Sequence, residues 1–316
     1  MSASPAPSGF VVAFDFGGTK LDVATATLDG RVLATERLRT SAAGGAEQAV
    51  DRALDTARAL RDATVAATGG ALAGVGAASP GIVLEDRILL APNVPGWTEL
   101  ALAARLGEGL ETDAVVCATD VKAATLAEVR WGALRDADPG VFLNLGTGLG
   151  AGIAIGGRVL AGANGAAGEI GYALRGTGDA HGAADGRAPL EEHVSGRAIG
   201  ERGGAASATE VFARAGAGDA EATALLDAAL DELAVHVANL AILVDPARIA
   251  VGGGLMGSAE RVLAALRRRA AQAVPFPPEI VPARFVHDAA LRGAIALALD
   301  AAPRHPASLI HRGGAA

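Results

Sequence analysis

The chain has 316 residues, enough for roughly two domains at the usual ~150 residues each, and a formal net charge of −8. That sign argues against a nucleic-acid or anionic-membrane surface, and 51% hydrophobic against 20% charged residues excludes a disordered chain. The 76 Ala, 43 Gly and 25 Arg beside only 2 Lys look like the output of a GC-rich genome, so glycines inform only by their placement. Cys117 is the single cysteine, which excludes an internal disulfide and a Cys-based zinc site. Met1 to Gly9 lacks the charged start and long apolar segment of a signal peptide, and no uninterrupted apolar run reaches membrane-spanning length. The expectation is a soluble cytoplasmic protein.

In chain order, Phe10–Phe14 reads as a buried strand, followed by the glycine turn of Asp15-Phe16-Gly17-Gly18-Thr19-Lys20 and an alternating strand over Leu21–Leu28. Asp29-Gly30 predicts a hairpin turn into a third strand at Arg31–Leu33. A helix follows over Ala46–Ala67, with Val50, Leu54 and Ala57 on one face, and Val75–Ser79 is a strand ended by Pro80-Gly81. Val115–Thr119 is a further strand, with a helix after it from Val121 to Trp131. The opening layout then recurs: strand Val141–Leu145, glycine turn Gly146-Thr147-Gly148, alternating strand Leu149–Ile155. Two copies of one supersecondary unit predict two similar α/β lobes around a shared cleft. Helices are expected over Ala220–Leu243 and, with Ser258 as N-cap, up to Val274, with the strand Ile249–Val251 between them. The last helix, Ala289–Leu299, is expected to pack back on the first lobe.

Three glycine turns carry the chemistry. Gly17-Gly18 and Gly146-Thr147-Gly148 lie between strands, where backbone N–H groups approach a phosphate without a Cβ in the way, and Thr19 adds a hydroxyl. Asp15 precedes the first turn, where its carboxylate suits hydrated Mg²⁺; an ordinary hairpin turn is the plainer alternative. Gly252-Gly253-Gly254 opens a GxGxxG pattern, but it stands late in the chain without the early βαβ unit of a dinucleotide site, so it fits a nucleotide base or ribose better. Asp120, at the end of a strand, is placed for general-base work, although spacing alone favours a helix N-cap. Glu169 and Glu191, near glycine loops, suit the hydroxyls of a polyol, or else are solvated carboxylates. His181, Asp185 and His193 lack a metal motif, and no nucleophile elbow or His-Glu-x-x-His occurs.

Taken in order, Asp15–Lys20, Ser79-Pro80-Gly81, Ala91-Pro92-Asn93…Gly96-Trp97, Asp120, Gly146–Gly148, Gly165–Gly171 and Leu190-Glu191…Ser195-Gly196 resemble the ROK family of bacterial sugar kinases and related repressors. The match runs from about residue 10 to about residue 300. The resemblance implies a two-lobed, actin-like and hexokinase-like (ribonuclease H-like) ATPase fold with a central cleft. Its N-terminal lobe would be 1–118, completed by the C-terminal helix of about 289–316, and its C-terminal lobe 119–288. It implies ATP and Mg²⁺ as cofactors, with Asp15 holding the ion through water. Gly17, Gly18, Thr19 and Lys20 would be the first phosphate motif, Gly146, Thr147 and Gly148 the second, and Gly252, Gly253 and Gly254 the adenosine-side turn. Asp120 would be the base, and Ser79, Pro80, Gly81, Asn93, Thr119, Glu169, Tyr172 and Glu191 the sugar's surroundings.

The departures bear on substrate. Glucokinase-like members have Asn where this chain has Thr119 and His where it has Tyr172. The family's zinc cysteines map onto Gly182, Ala184 and Pro189, so no structural zinc is expected. A buried site that loses a hydrogen-bond partner discriminates by about tenfold to a hundredfold. The expected reaction is phosphorylation of the primary hydroxyl of an amino sugar such as kanosamine, as in secondary-metabolite and antibiotic pathways, with glucose or a C7-cyclitol as alternatives. A non-catalytic sugar sensor is the alternative of another class. A DNA-binding repressor is disfavoured because the phosphate motif begins at Asp15. No membrane or nucleic-acid partner is expected, and kinship suggests a homodimer.

Overall fold

The fold is that of a computed structural model, which describes residues 9–18, 20–39, 45–91, 96–303 and 310–312. It divides into two compact units, one of Met1–Ala127, Ala161–Ala166 and Asp288–Ala316, the other of Glu128–Leu160 and Ala167–His287.

The first unit opens with β1 (Phe10–Phe16), β2 (Lys20–Thr27) and β3 (Val32–Arg39), an antiparallel meander. β1 is apolar and buried on both faces, as a central strand must be. β3 is longer than its apolar start suggests, because most of it is solvent-exposed and its polar residues hide the strand period. Next comes α1 (Gly45–Thr68), burying Ala46, Ala49, Val50, Ala53, Leu54 and Ala57 along one stripe. β4 (Leu72–Ser79) lies parallel to β1. The two-residue strands β5 (Ile82–Val83) and β6 (Ile88–Leu89) pair with each other, and after α2 (Leu102–Leu110) the strand β7 (Val115–Thr119) pairs parallel with β4. The strand order is β3-β2-β1-β4-β7. α3 (Asp120–Trp131) starts directly where β7 ends.

The second unit repeats this plan. β8 (Gly140–Leu145), β9 (Leu149–Ile155) and β10 (Arg158–Gly162) form an antiparallel meander. The short helices α4 (Glu191–Val194), α5 (Gly196–Arg202) and α6 (Ala208–Gly216) precede the long α7 (Ala220–Val244), whose N-terminal amides at Glu221 and Ala222 donate to the Asp219 carboxylate. β11 (Arg248–Gly252) lies parallel to β8, then α8 (Ala259–Ala273) leads to β12 (Glu279–Pro282), parallel to β11. Five of the six strands of its sheet, β12-β11-β8-β9-β10, repeat the first sheet's order read from the other end, so the duplication expected from the two hairpins is present in the topology. Val141, Leu143 and Leu145 of β8 pack with Leu226, Leu230 and Leu233 of α7. Ser258, expected to cap α8, makes no side-chain cap bond, because a 3-10 turn over Gly254–Ser258 already leads into the helix.

α9 (Ala289–Ala301) returns to the first unit and packs on β4 and β1. Gly74 and Gly76 make this possible: an added Cβ on either would overlap the carbonyl of Ala298 or Ala294. Among the described residues no helix is long and apolar enough to cross a membrane.

Candidate active site

In the first unit the turn from β1 to β2 closes with the Gly17 N–H donating to the Lys20 carbonyl at 2.9 Å. A Cβ on Gly17 would lie 2.8 Å from that carbonyl oxygen, whereas nothing lies within 4 Å of one on Gly18. The turn therefore needs glycine at its first position and leaves the backbone bare at its second, as a phosphate requires. Lys20 is exposed at the start of β2. Thr19 and Asn93 lie outside the described residues.

Asp15 is set among other charges. Burial, then the nearby carboxylates Asp120 and Asp22, push its carboxyl up to about 7, against the smaller pull of Lys20 and Arg37. Two carboxylates, Asp15 and Asp120, thus share one neighbourhood at the ends of β1 and β7. Such a pair, one member partly protonated because it is buried beside other carboxylates, has the hard-oxygen chemistry that Mg²⁺ takes through its water shell.

Asp120 is the first residue of α3, and its Oδ1 accepts the N–H of Val121 at 2.8 Å. The cap belongs to Thr119 instead: its Oγ1 accepts the Lys122 N–H at 3.2 Å. Thr119 is nearly enclosed, at 4% exposure. Ser79 is fully buried, its hydroxyl donating to the Pro80 carbonyl at 3.0 Å and accepting from Trp97 Nε1 at 2.9 Å. Trp97 in turn packs on the Phe16 ring, centroids 5.4 Å apart. Gly81 has φ +79°, and a Cβ there would sit 2.8 Å from that of Ala91. The Ser79-Pro80-Gly81 turn and Trp97 thus form one packed support beside the β4 terminus.

In the second unit the Gly146 N–H donates to the Gly148 carbonyl at 3.0 Å, making the turn between β8 and β9. The N-terminus of α5 docks on it, with the Gly196 N–H donating to Gly146 at 2.9 Å and the Arg197 N–H to the Thr147 carbonyl at 3.3 Å. Parallel pairing of β11 with β8 brings the third glycine turn to the same place. Gly253, at φ +91°, would put a Cβ 2.5 Å from the Leu145 carbonyl and 2.8 Å from Asn144 Oδ1. Two of the three glycine turns are therefore adjacent.

Glu191 at the start of α4 reaches the same turn. Its Oε2 accepts the Leu149 N–H at 2.9 Å, and a Cβ on Gly148 would lie 2.7 Å from that oxygen. Arg197 Nη2 stands 3.5 Å from Oε1. The loop before α4 is pinned to β9 by the Ala151 N–H, which donates to the Gly168 carbonyl at 2.8 Å; Gly168 has φ +84° and no room for a side chain. This places Glu169 and Tyr172 within electrostatic reach of one another. Burial, then Glu191 and Glu169, raise the Tyr172 phenol above its ordinary range, so it stays a protonated donor at neutral pH. Among the described residues no group of three or more His, Cys, Asp or Glu is placed to hold a metal ion.

Sequence reasoning passed over Asp22 and Arg37. They face each other in the β2–β3 register, and the guanidinium binds the buried carboxylate through Nε at 2.6 Å and Nη2 at 2.8 Å. The signal was available: strand period 2 points Asp22 to the same side as Lys20, and an inward-facing carboxylate in a strand requires a cation.

A duplicated α/β unit, each copy bending around a glycine turn between its first two strands, defines the actin-like, hexokinase-like ATPase fold. Comparison with known proteins agrees. Residues 11–301 match the ROK family. The N-acetylmannosamine kinase of Shigella boydii is 35% identical over 302 residues, covering 91% of this chain and 97% of that protein. The bifunctional enzyme NanE/NanK of Brucella melitensis is 33% identical over 302 residues, but the chain, 92% covered, spans only 54% of its length. Among solved structures, the ROK hexokinase of Thermus thermophilus superposes with a TM-score of 0.77 at 28% identity, over 92% of this chain and 97% of that one. A ROK glucokinase of Streptomyces griseus, in complex with glucose and AMPPNP, gives 0.72 at 28% identity over 92% and 99%. The chain belongs to the ROK family.

Proposed function

We propose that this ROK protein is an ATP-dependent sugar kinase that phosphorylates the primary hydroxyl of an amino hexose in preference to glucose. The observation that carries the reading is the grouping of Glu169, Tyr172 and Glu191 on the second unit's phosphate turn, beside the nucleotide-side glycines. Relatives about a third identical, named as N-acetylmannosamine kinases, support the class.

Asp120 accepts the proton of the attacking hydroxyl, and the hydroxyl oxygen attacks the γ-phosphorus in line as the bond to ADP breaks. Gly17 and Gly18 offer bare backbone N–H groups, and Lys20 an ammonium, that a phosphate can take, and Gly146–Gly148 is a second turn of the same kind. Asp15, with Asp120 beside it, would hold Mg²⁺ through water, where the ion neutralises phosphate charge. Gly254, with nothing within 4 Å of where its Cβ would stand, would leave space for the adenosine.

Substrate choice follows from two side chains. Thr119 is enclosed and caps α3, so a ring hydroxyl loses the amide partner that Asn gives in glucokinase-like members. Tyr172 offers a neutral phenol between two carboxylates, which leaves Glu169 and Glu191 to accept from an amino or acylamino N–H. ATP consumption measured across N-acetylmannosamine, kanosamine, other amino hexoses, glucose and a C7-cyclitol tests this. One amino hexose should exceed glucose in kcat/KM by about tenfold or more. Glucose as the best acceptor overturns the substrate reading, and no turnover with any of them overturns the kinase.

A further inference from the structure

The segment from Ala173 to Leu190 joins the loop of Glu169 and Tyr172 to the helix of Glu191, and apart from a single 3-10 turn over Ala183–Asp185 it has no regular structure. From Leu174 to Ala188 it buries no side chain. It arches over a cavity of about 520 Å³ walled by charged groups, among them Arg175, Asp179, Arg187, Glu192 and Arg202. Hydrophobic packing therefore does not fix its path. Ion pairs hold its two ends instead. At the first end Arg175 binds Glu232 of α7 through Nε and Nη2, and its Nη1 lies 2.9 Å from His193 Nε2. At the second, Arg187 forks onto both Glu192 oxygens, and the Ala188 N–H donates to Glu192 Oε1 at 2.9 Å.

We propose that Arg175–Glu232 and Arg187–Glu192 are an ionic clasp whose work is to position Glu169, Tyr172 and Glu191 for the sugar. Arg175 follows Tyr172 by three residues and is tied to the long, well-packed α7, so it sets where the loop leaves β9. Glu192 is the neighbour of Glu191 on a four-residue helix too short to orient itself, so its fork with Arg187 sets the rotation of α4 and the aim of the Glu191 carboxylate. All four are positioning residues, and they rest on the sugar-kinase reading above. Since the pairs are partly exposed, salt screens them.

Glu232→Gln removes one charge at constant size, and Arg187→Gln removes the charge of the other partly exposed pair with a shorter polar side chain. With N-acetylmannosamine and ATP as probes, each should raise the sugar KM by roughly fivefold or more, with kcat and the ATP KM within about twofold. The charge-swapped double variant Arg175→Glu/Glu232→Arg should recover most of the loss. Hydrogen exchange at residues 173–190 should quicken in each single variant while α7 and β8 stay protected. A sugar KM within twofold of wild type in both single variants overturns the clasp, as does a fall in melting temperature with unchanged KM and exchange. If the wild type turns over no sugar, the kinase reading alone falls, and unaltered exchange at 173–190 then overturns the clasp independently.

Discussion

Asp15 carries a conflict that can be measured without any ligand. Burial and two neighbouring carboxylates lift its carboxyl from 3.8 to about 7, so between those pH values the folded chain holds a proton that the unfolded chain has released. Stability from this group is therefore present below about pH 4 and lost as pH rises through 7, by at most about 4 kcal/mol for three pH units. Asp15→Asn removes the charge and keeps the shape. In urea unfolding it should be more stable than wild type at pH 8 and equal to it near pH 3.5; a variant less stable at pH 8 contradicts the assignment. Asp120 answers a different question. Asp120→Asn cannot accept a proton, so kcat should fall about a hundredfold or more while the sugar Kd, read by calorimetry, stays within a few-fold. Residual turnover near wild type would remove Asp120 as the base. Both aspartates stood out in the sequence by their places beside a glycine turn and at a strand end. The helix cap did not, because Asp120 is the better cap residue by type, and only the Thr119–Lys122 hydrogen bond gives the role to Thr119.

At the scale of elements, what the sequence showed depended on how sharply apolar and polar positions alternate. β1 and β8, as short apolar runs, and α1 and α7, as long Ala- and Leu-rich segments without Pro, stand almost where the pattern puts them. β3 is more than twice as long as its apolar start suggests, since an exposed edge strand has no apolar face to reveal it. α4, α5 and α6 merge in sequence into one Gly- and Ala-rich stretch, because residues with little side chain encode little direction. The same small residues do structural work where elements meet. On β4, Gly76 admits the backbone of α9, and Gly293 of α9 faces the Ala123 carbonyl of α3 just as closely. Gly76→Val should shift α9 and destabilise the chain by about 1–3 kcal/mol, the usual range for overpacking. The measurement is denaturant unfolding monitored by circular dichroism, and a change below ~0.5 kcal/mol would show that the helix has room to move.

For the whole molecule, duplication was legible because two strand–glycine–strand openings occur in one chain, and five strands of the second sheet repeat the order of the first. What could not be read was how the second unit holds its long irregular segment between Ala173 and Leu190. Relatives in this family were expected to use a zinc site there, and Gly182, Ala184 and Pro189 cannot supply a thiolate. Long-range ion pairs such as Arg175–Glu232 leave no local pattern, since their partners lie on separate elements and neither residue is unusual alone. The consequence is a separation of metal dependence from stability. A structural zinc makes folding free energy depend on chelators, because metal binding and folding are linked. A segment held by guanidinium–carboxylate forks gives no such dependence, but it does respond to salt. Dialysis against EDTA should leave the melting temperature within about a degree of the untreated protein, and elemental analysis should find well below one zinc per chain. On the kinase reading proposed above, the same dialysis should abolish ATP turnover and Mg²⁺ alone should restore it, because the ion would sit with the phosphates beside Asp15 rather than with the fold. A loss of several degrees on chelation, restored by zinc and not by magnesium, would show that the second unit holds a metal after all and that the ion pairs only accompany it.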